Sequence, residues 1–254
     1  MRANLFFILK NKLAYPVLMI LLAMSITSCT VKSTGKKASS KSIRVLLVGG
    51  GASHNFDLWY RNADVNTLSQ DGLCKVIYTT NTDSIAEYLK ASDVLILSNN
   101  QPIKSAISRK AIFDFAAAGK GIIFLHAALW YNWKDWPEYN LQLTSGGSRG
   151  HDRYGAFQVE ITNTDHPVTK GIEQKFTLKD ERYYFIPDTK GSGIEVLANN
   201  SVAGSEKIFP SVFVIKNPNT RLVGIALGHD AESHNITNYQ TLLKNAVKWV
   251  SMKK

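Results

Sequence analysis

Ile43–Gly50, IRVLLVGG, is a continuous apolar run closed by glycines, the pattern of a strand buried on both faces. A Gly-rich turn and a predicted helix over Leu58–Ser69 lead to a second strand, Lys75–Thr80. A short helix from Ser84 to Lys90 and a third strand, Asp93–Ser98, follow. Pro102 opens the next predicted helix, with Ile103, Ile107, Ala111 and Phe115 along one face. Gly119 closes it before a fourth strand, Gly121–His126. Repeated β-α-β units with short connections imply a parallel sheet flanked by helices, with right-handed crossovers. After His126 the pattern changes. Residues 127–154 read as a long aromatic loop, followed by alternating segments at Ala156–Ile161, Ile194–Ala198, Val212–Lys216 and Leu222–Leu227. A closing helix carries Tyr239, Leu242, Leu243, Ala246, Val247 and Val250 at helical spacing. The expectation is one α/β domain over residues 43–254 with a strand-rich second half; two lobes meeting near residue 150 are the alternative.

The chain has 254 residues, 44% hydrophobic and 20% charged, which gives ample material for a core. Its net charge of +10 is concentrated at the start. The first 42 residues hold seven Lys/Arg and no acid, which leaves 23 basic and 20 acidic side chains in the rest. The globular part is nearly balanced, so charge makes no case for a nucleic-acid partner. Arg2, Lys10 and Lys12 precede an apolar stretch, Leu13–Ala23, too short for the ~20 residues a bilayer requires. Ile26-Thr27-Ser28-Cys29 then resembles a bacterial lipobox. Residues 1–28 therefore read as a lipoprotein signal peptide, Cys29 as the lipidation site, and residues 29–42 as the lipidated end and a flexible Ser/Lys tether. An ordinary signal peptide with a chance cysteine is the alternative. The expected location is the bacterial cell envelope, anchored to the membrane by lipid and facing the periplasm. Cys74, at the start of strand two, reads as a small buried apolar residue.

Ligands of open α/β sheets sit beyond the carboxyl ends of the strands. Several polar groups fall there: Ser53 and His54 after strand one, Asn99 and Asn100 after strand three, His126 after strand four, and His229 after RLVGIALG. Gly49-Gly50-Gly51 is not a dinucleotide fingerprint, because its sixth position is His54. There is no G-x-S-x-G elbow and no Cys-His pair, which leaves covalent acyl chemistry without support. Leu129–Tyr139, LWYNWKDWPEY, places Trp130, Trp133 and Trp136 together. Their faces suit sugar rings, and packing of the loop on itself is the equal alternative. Arg149, His151 and Glu181 add further polar groups. His126, His151 and His229, with Glu181, could ligate a divalent metal such as zinc, although no H-E-x-x-H spacing brings them together. Acid–base work near histidine's unperturbed pKa of about 6.5 is the alternative. His166, before Pro167, reads as turn chemistry.

Six short motifs occur in order: GKGIIFLHAA (Gly119–Ala128), the aromatic loop, GGSRGH (Gly146–His151), HPVTKGI (His166–Ile172), KDERYY (Lys179–Tyr184) and LGHD (Leu227–Asp230). Together they resemble the ThuA-like, or trehalose-utilisation, family over essentially the whole globular part. The resemblance implies a flavodoxin-like, class I glutamine amidotransferase-like fold. It does not imply glutamine hydrolysis: where true amidotransferases present a nucleophilic cysteine, this chain has His126-Ala127-Ala128. Family members are linked to disaccharide breakdown through 3-keto sugars. The implied activity is elimination, hydrolysis or isomerisation of a 3-keto-glycoside. In it His126 and His229 act as bases or metal ligands, and Glu181 in acid–base work. His151 and Arg149 would hold the substrate, alongside Trp130, Trp133, Trp136, Asn99 and His54. A non-catalytic, lipid-anchored carbohydrate-binding protein and a structural envelope lipoprotein are the rival readings.

Overall fold

Strands β3 (Val94–Leu97) and β4 (Gly121–Leu125) are buried at every position, as strands covered on both faces must be. The computed structural model describes residues 41–130 and 133–252; the leader, Cys29 and the tether to residue 40 lie outside the described residues. Strands β2 (Cys74–Thr79), β1 (Ile43–Val48), β3, β4 and β11 (Leu222–Ile225) run parallel in that spatial order. The sheet then continues antiparallel through β10 (Phe209–Ile215), β9 (Ile194–Ser201), β6 (Gly155–Ile161) and β7 (Lys175–Asp180). A separate two-stranded sheet pairs β5 (Gly146–His151) with β8 (Tyr183–Pro187).

Alternation along the strands divides the core between the two faces of the sheet. Val45 and Leu47 of β1 pack with Leu68 of α1 (Val65–Ser69) and with Leu242, Leu243 and Val247 of α5 (Thr237–Ser251). Leu46 and Val48 pack with Ile85 and Leu89 of α2 (Ile85–Leu89) and with Ile112 and Phe115 of α3 (Ala106–Ala117). The α/β class, the parallel core and the strand-rich second half are as expected. Cys74 is buried in the first of these clusters, where loss of solvation pushes its thiol up to about 12. Among the described residues no helix is long and apolar enough to cross a membrane.

Two expectations need correction. The third helix does not open at Pro102; it begins at Ala106, where the Ser105 hydroxyl accepts from Ser108 N at 3.2 Å. Its buried face is Ser108, Ile112, Phe115 and Ala116, so Ile103 is buried ahead of the helix and Ile107 is 75% exposed. Residues 127–154 are also not one loop. A 3-10 turn (His126–Leu129), a π-helical turn (Tyr139–Leu143) and strand β5 lie at its start and within it. GGSRGH has no apolar alternation, and its extended form comes from pairing with β8.

Gly121 begins β4 where α5 ends above it, and a Cβ there would lie 2.3 Å from Val250 O. Gly121→Ala should cost about 1–3 kcal/mol by overpacking. Gly155→Ala, whose nearest neighbour would be 3.6 Å away, should stay within about 0.5 kcal/mol. Urea denaturation of both variants checks this, and equal midpoints would contradict it.

Candidate functional site

Four chain segments meet beyond the carboxyl ends of the parallel strands. After β1 the chain turns through Gly50 and Gly51, both at positive φ (104° and 135°), and carries His54. A Cβ on Gly51 would fall 1.7 Å from Asn100 Oδ1, so only glycine admits this approach. Asn100 clamps the turn, accepting from Ala52 N and donating to Ala52 O, each at 2.9 Å. β4 is followed at once by His126, a fully buried histidine at φ 35°, a conformation that costs a non-glycine residue energy. Its Nδ1 donates to Ala226 O at 2.9 Å, so Nε2 carries the lone pair. β11 leads to His229, and β7 leads to Glu181.

Asp180, the last residue of β7, holds two of these segments together. Its buried carboxylate accepts from Glu181 N (2.7 Å), Gly228 N (2.8 Å), His229 N (3.1 Å) and the Ser233 hydroxyl. Ser233 belongs to α4 (Ala231–His234), whose N-terminus is capped by Asp230. A second buried network braces the same loop from below. His234 Nδ1 lies 2.6 Å from Asp64 Oδ1, and its Nε2 lies 3.1 Å from Gly228 O. Tyr60 donates to Gly228 O at 2.5 Å, and Tyr239 donates to Asp64 at 3.2 Å. Burial lowers the His234 pKa, but the Asp64 carboxylate outweighs it and the net shift is upward. A charged His234 donates from both nitrogens, which this geometry requires. The sequence reading assigned His234 no role; HDAESH contains it, but nothing local points to Asp64.

The functional side chains then converge. Glu181 Oε2 lies 3.2 Å from His229 Nδ1 and 3.6 Å from His126 Nε2. The His54 ring stands edge-on to both, with centroids 5.1 Å from His126 and 4.7 Å from His229. Burial alone would raise the Glu181 pKa; pairing with His126 and His229 outweighs that and holds it below the usual carboxylate range. The same contact with Glu181 raises the His229 pKa against the opposing effect of burial. Burial, reinforced by His126, pushes His54 down to about 3. Tyr183 stacks on His126 with centroids 4.1 Å apart. A cleft of about 410 Å³ opens over this group, lined by Ser53, His54, Asn100, Trp130, His151, Glu181 and Tyr183. That size admits a small-molecule ligand.

Not every residue singled out in the sequence reaches this cleft. His54, His126, Glu181 and His229 each offer one ligand atom, all within 4.8 Å of one another. His54 therefore takes the place in the group that the sequence reading gave to His151. His151 lies on the cleft wall, its Nδ1 2.8 Å from Asp152 O and 3.7 Å from Glu181 Oε1. Trp130 lines the cleft, but Trp133 and Trp136 do not: both are buried in the core beside Tyr139, and Arg109 lies over Trp136. Asn99 is buried and donates to Gln101 O, so its neighbour Asn100 is the asparagine at the site. Arg149 is an exposed residue of β5 and is not among the cleft-lining residues. His166 is a turn residue, its Nδ1 accepting from Val168 N.

The sequence model of ThuA, described as trehalose utilisation, matches residues 44–250. The chain belongs to the ThuA family. A ThuA-like protein from Parabacteroides merdae superposes with a TM-score of 0.72 at 20% identity, over 84% of this chain and 91% of that one. A ThuA-like protein from Bacteroides uniformis gives 0.69 at 24% identity, over 83% and 93%. A β-galactosidase from the haloarchaeon Halorubrum lacusprofundi gives 0.53 at 10% identity, covering 84% of this chain and 31% of its own length. These likenesses establish the fold. No curated protein matches the chain.

Asp180→Asn turns one acceptor oxygen into an NH2 that must face another donor. Loss of a charged acceptor there should cost about 1.5–3 kcal/mol. Urea denaturation measures it, and an unchanged midpoint would show that the junction does not depend on this carboxylate.

Proposed function

We propose that this ThuA-family protein acts on carbohydrate, cleaving or isomerising a 3-keto-glycoside derived from a disaccharide. The observation that carries the reading is a cluster of three histidines and an ionised carboxylate, of which His54 and Glu181 line a cleft together with Trp130 and Tyr183. A keto group acidifies the neighbouring C–H, and the reaction needs a base for that proton and an electrophile for the developing enolate. His229 sits against the Glu181 carboxylate, which raises its pKa, and is the group that would polarise the ketone oxygen. His151 stands on the wall. Its Nδ1–H donates to Asp152 O, which leaves Nε2 as the base. In elimination the base takes the proton, the electrons form the enolate, and the glycosidic oxygen leaves with its bonding pair and is reprotonated. In isomerisation the same proton returns to the neighbouring carbon through an enediol. Trp130 and Tyr183 offer ring faces to the sugar. Beyond His54 an open groove of about 630 Å³, bordered by Gly50, Gly51, Asn55, Asp57 and Thr80, leaves room for a second unit.

The same proposal places the protein at the bacterial envelope as a lipoprotein, supported by the basic, apolar and lipobox-like run ending at Cys29. The cleft chemistry is tested with the full-length protein and a panel of 3-keto-glucosides, including 3-keto-trehalose, followed by NMR. Consumption of one of them is expected. Loss of a general base costs roughly 100–10,000-fold, so His151→Asn should lower kcat by about 100-fold or more, and Glu181→Gln, which removes the carboxylate partner of His229, should lower it as well. Tight binding of an unoxidised sugar with no product would instead identify a non-catalytic, lipid-anchored carbohydrate-binding protein.

A further inference from the structure

Three imidazole nitrogens are buried in one place without a hydrogen-bond partner: His54 Nε2, His126 Nε2 and His229 Nδ1. An unsatisfied buried polar atom carries a desolvation cost of about 1–3 kcal/mol, and native structures rarely leave several together. The Glu181 contact with His229 has the distance of an ion pair but not hydrogen-bond geometry, so it does not remove the deficit. Nor is this a disordered surface cluster. His126 is 0% exposed, and the elements that carry it, His229 and Glu181 are tied together by Ala226 O and Asp180.

The outer nitrogens show what the inner ones are for. His126 Nδ1 donates to Ala226 O and His54 Nδ1 lies 3.0 Å from Ala52 O. In both rings the proton is drawn to the far side by a backbone carbonyl, and the lone pair of Nε2 points inward. That is the outer-shell arrangement that orients histidines bound to metal ions.

We infer that His54, His126, His229 and Glu181 form a binding site for one divalent transition-metal ion, with His54 rather than His151 as the third imidazole ligand. Three imidazoles and a carboxylate suit zinc, and also cobalt, manganese or iron in the divalent state. Two of the four ligands, His54 and Glu181, line the cleft with Trp130, Asn100 and His151. Four protein ligands would fill a tetrahedral ion, so an octahedral one would be needed to leave two positions open for a ligand. The ligand class this favours is a molecule with two adjacent oxygens, such as an α-hydroxyketone. This part of the inference rests on the carbohydrate reading above, with the ion as the electrophile in place of His229. The metal site itself does not depend on it.

The test uses the full-length protein, stripped with a chelator and titrated with zinc by calorimetry and with cobalt by visible absorption. One ion per chain is expected, with cobalt bands typical of nitrogen and oxygen ligands. His54→Ala, on a surface loop, should fold normally by circular dichroism. It should lose affinity by more than the roughly 10–100-fold typical of outer-shell losses. His151→Ala should keep the parent affinity. Failure of the folded protein to bind any ion stoichiometrically would overturn the inference, as would binding that survives His54→Ala and is lost in His151→Ala. Stoichiometric binding without turnover of any 3-keto-glycoside supports the metal site and counts against the carbohydrate reading. Turnover by protein that binds no ion does the reverse.

Discussion

The buried carboxylate of Asp180 joins two parts of the sheet that the chain alone would keep apart. Strand β7 is an edge strand, four places from β11 in the sheet. Its final residue nevertheless accepts from Gly228 N and His229 N, at the end of β11, and from Ser233 in α4. Without that acceptor the backbone donors of the 228–229 turn would be buried and unpaired, which a protein interior tolerates poorly. Because Glu181 is the next residue, the contact that satisfies the turn also delivers a carboxylate to His126 and His229. Asp64 and His234 brace the same turn from the opposite side through Gly228 O.

The cost of this arrangement is concentrated at the site. His126 holds a positive φ, three imidazole nitrogens lack partners, and His54 is kept neutral by burial. Strain and unsatisfied groups gather where a protein binds or reacts, and the rest of the fold supplies the stability that tolerates them. Here that stability comes from strands such as β3 and β4, apolar at almost every position and covered on both faces.

The parallel half was legible because its signals are local: apolar runs of strand length, glycine at the turns, helical spacing in α5. The histidines at strand ends were legible for the same reason, since their positions follow from topology. What escaped was set by distant partners. β5 is a strand only through β8, and the start of α3 depended on a serine cap that outweighed the proline before it. Strand β7, KFTLKD, alternates in burial without a break, which is a local signal. Trp133 and Trp136 look like a binding platform in sequence but fill the space over α3 and the sheet, where Arg109 covers Trp136. His54 and His151 could not be told apart as partners of His126, because each stands at the end of an extended segment. Only the Asn100 clamp on the glycine turn brings His54 inward.

The Asp180 junction and the Asn100 clamp together bring His54, His126, His229 and Glu181 around a single point. An anomalous-difference map at the zinc edge, from crystals of the protein grown with zinc, should show one strong peak at ligating distance from His54 Nε2, His126 Nε2, His229 Nδ1 and the Glu181 carboxylate. A peak coordinated by His151 in place of His54, or no peak with the four side chains hydrogen-bonded among themselves, would contradict it.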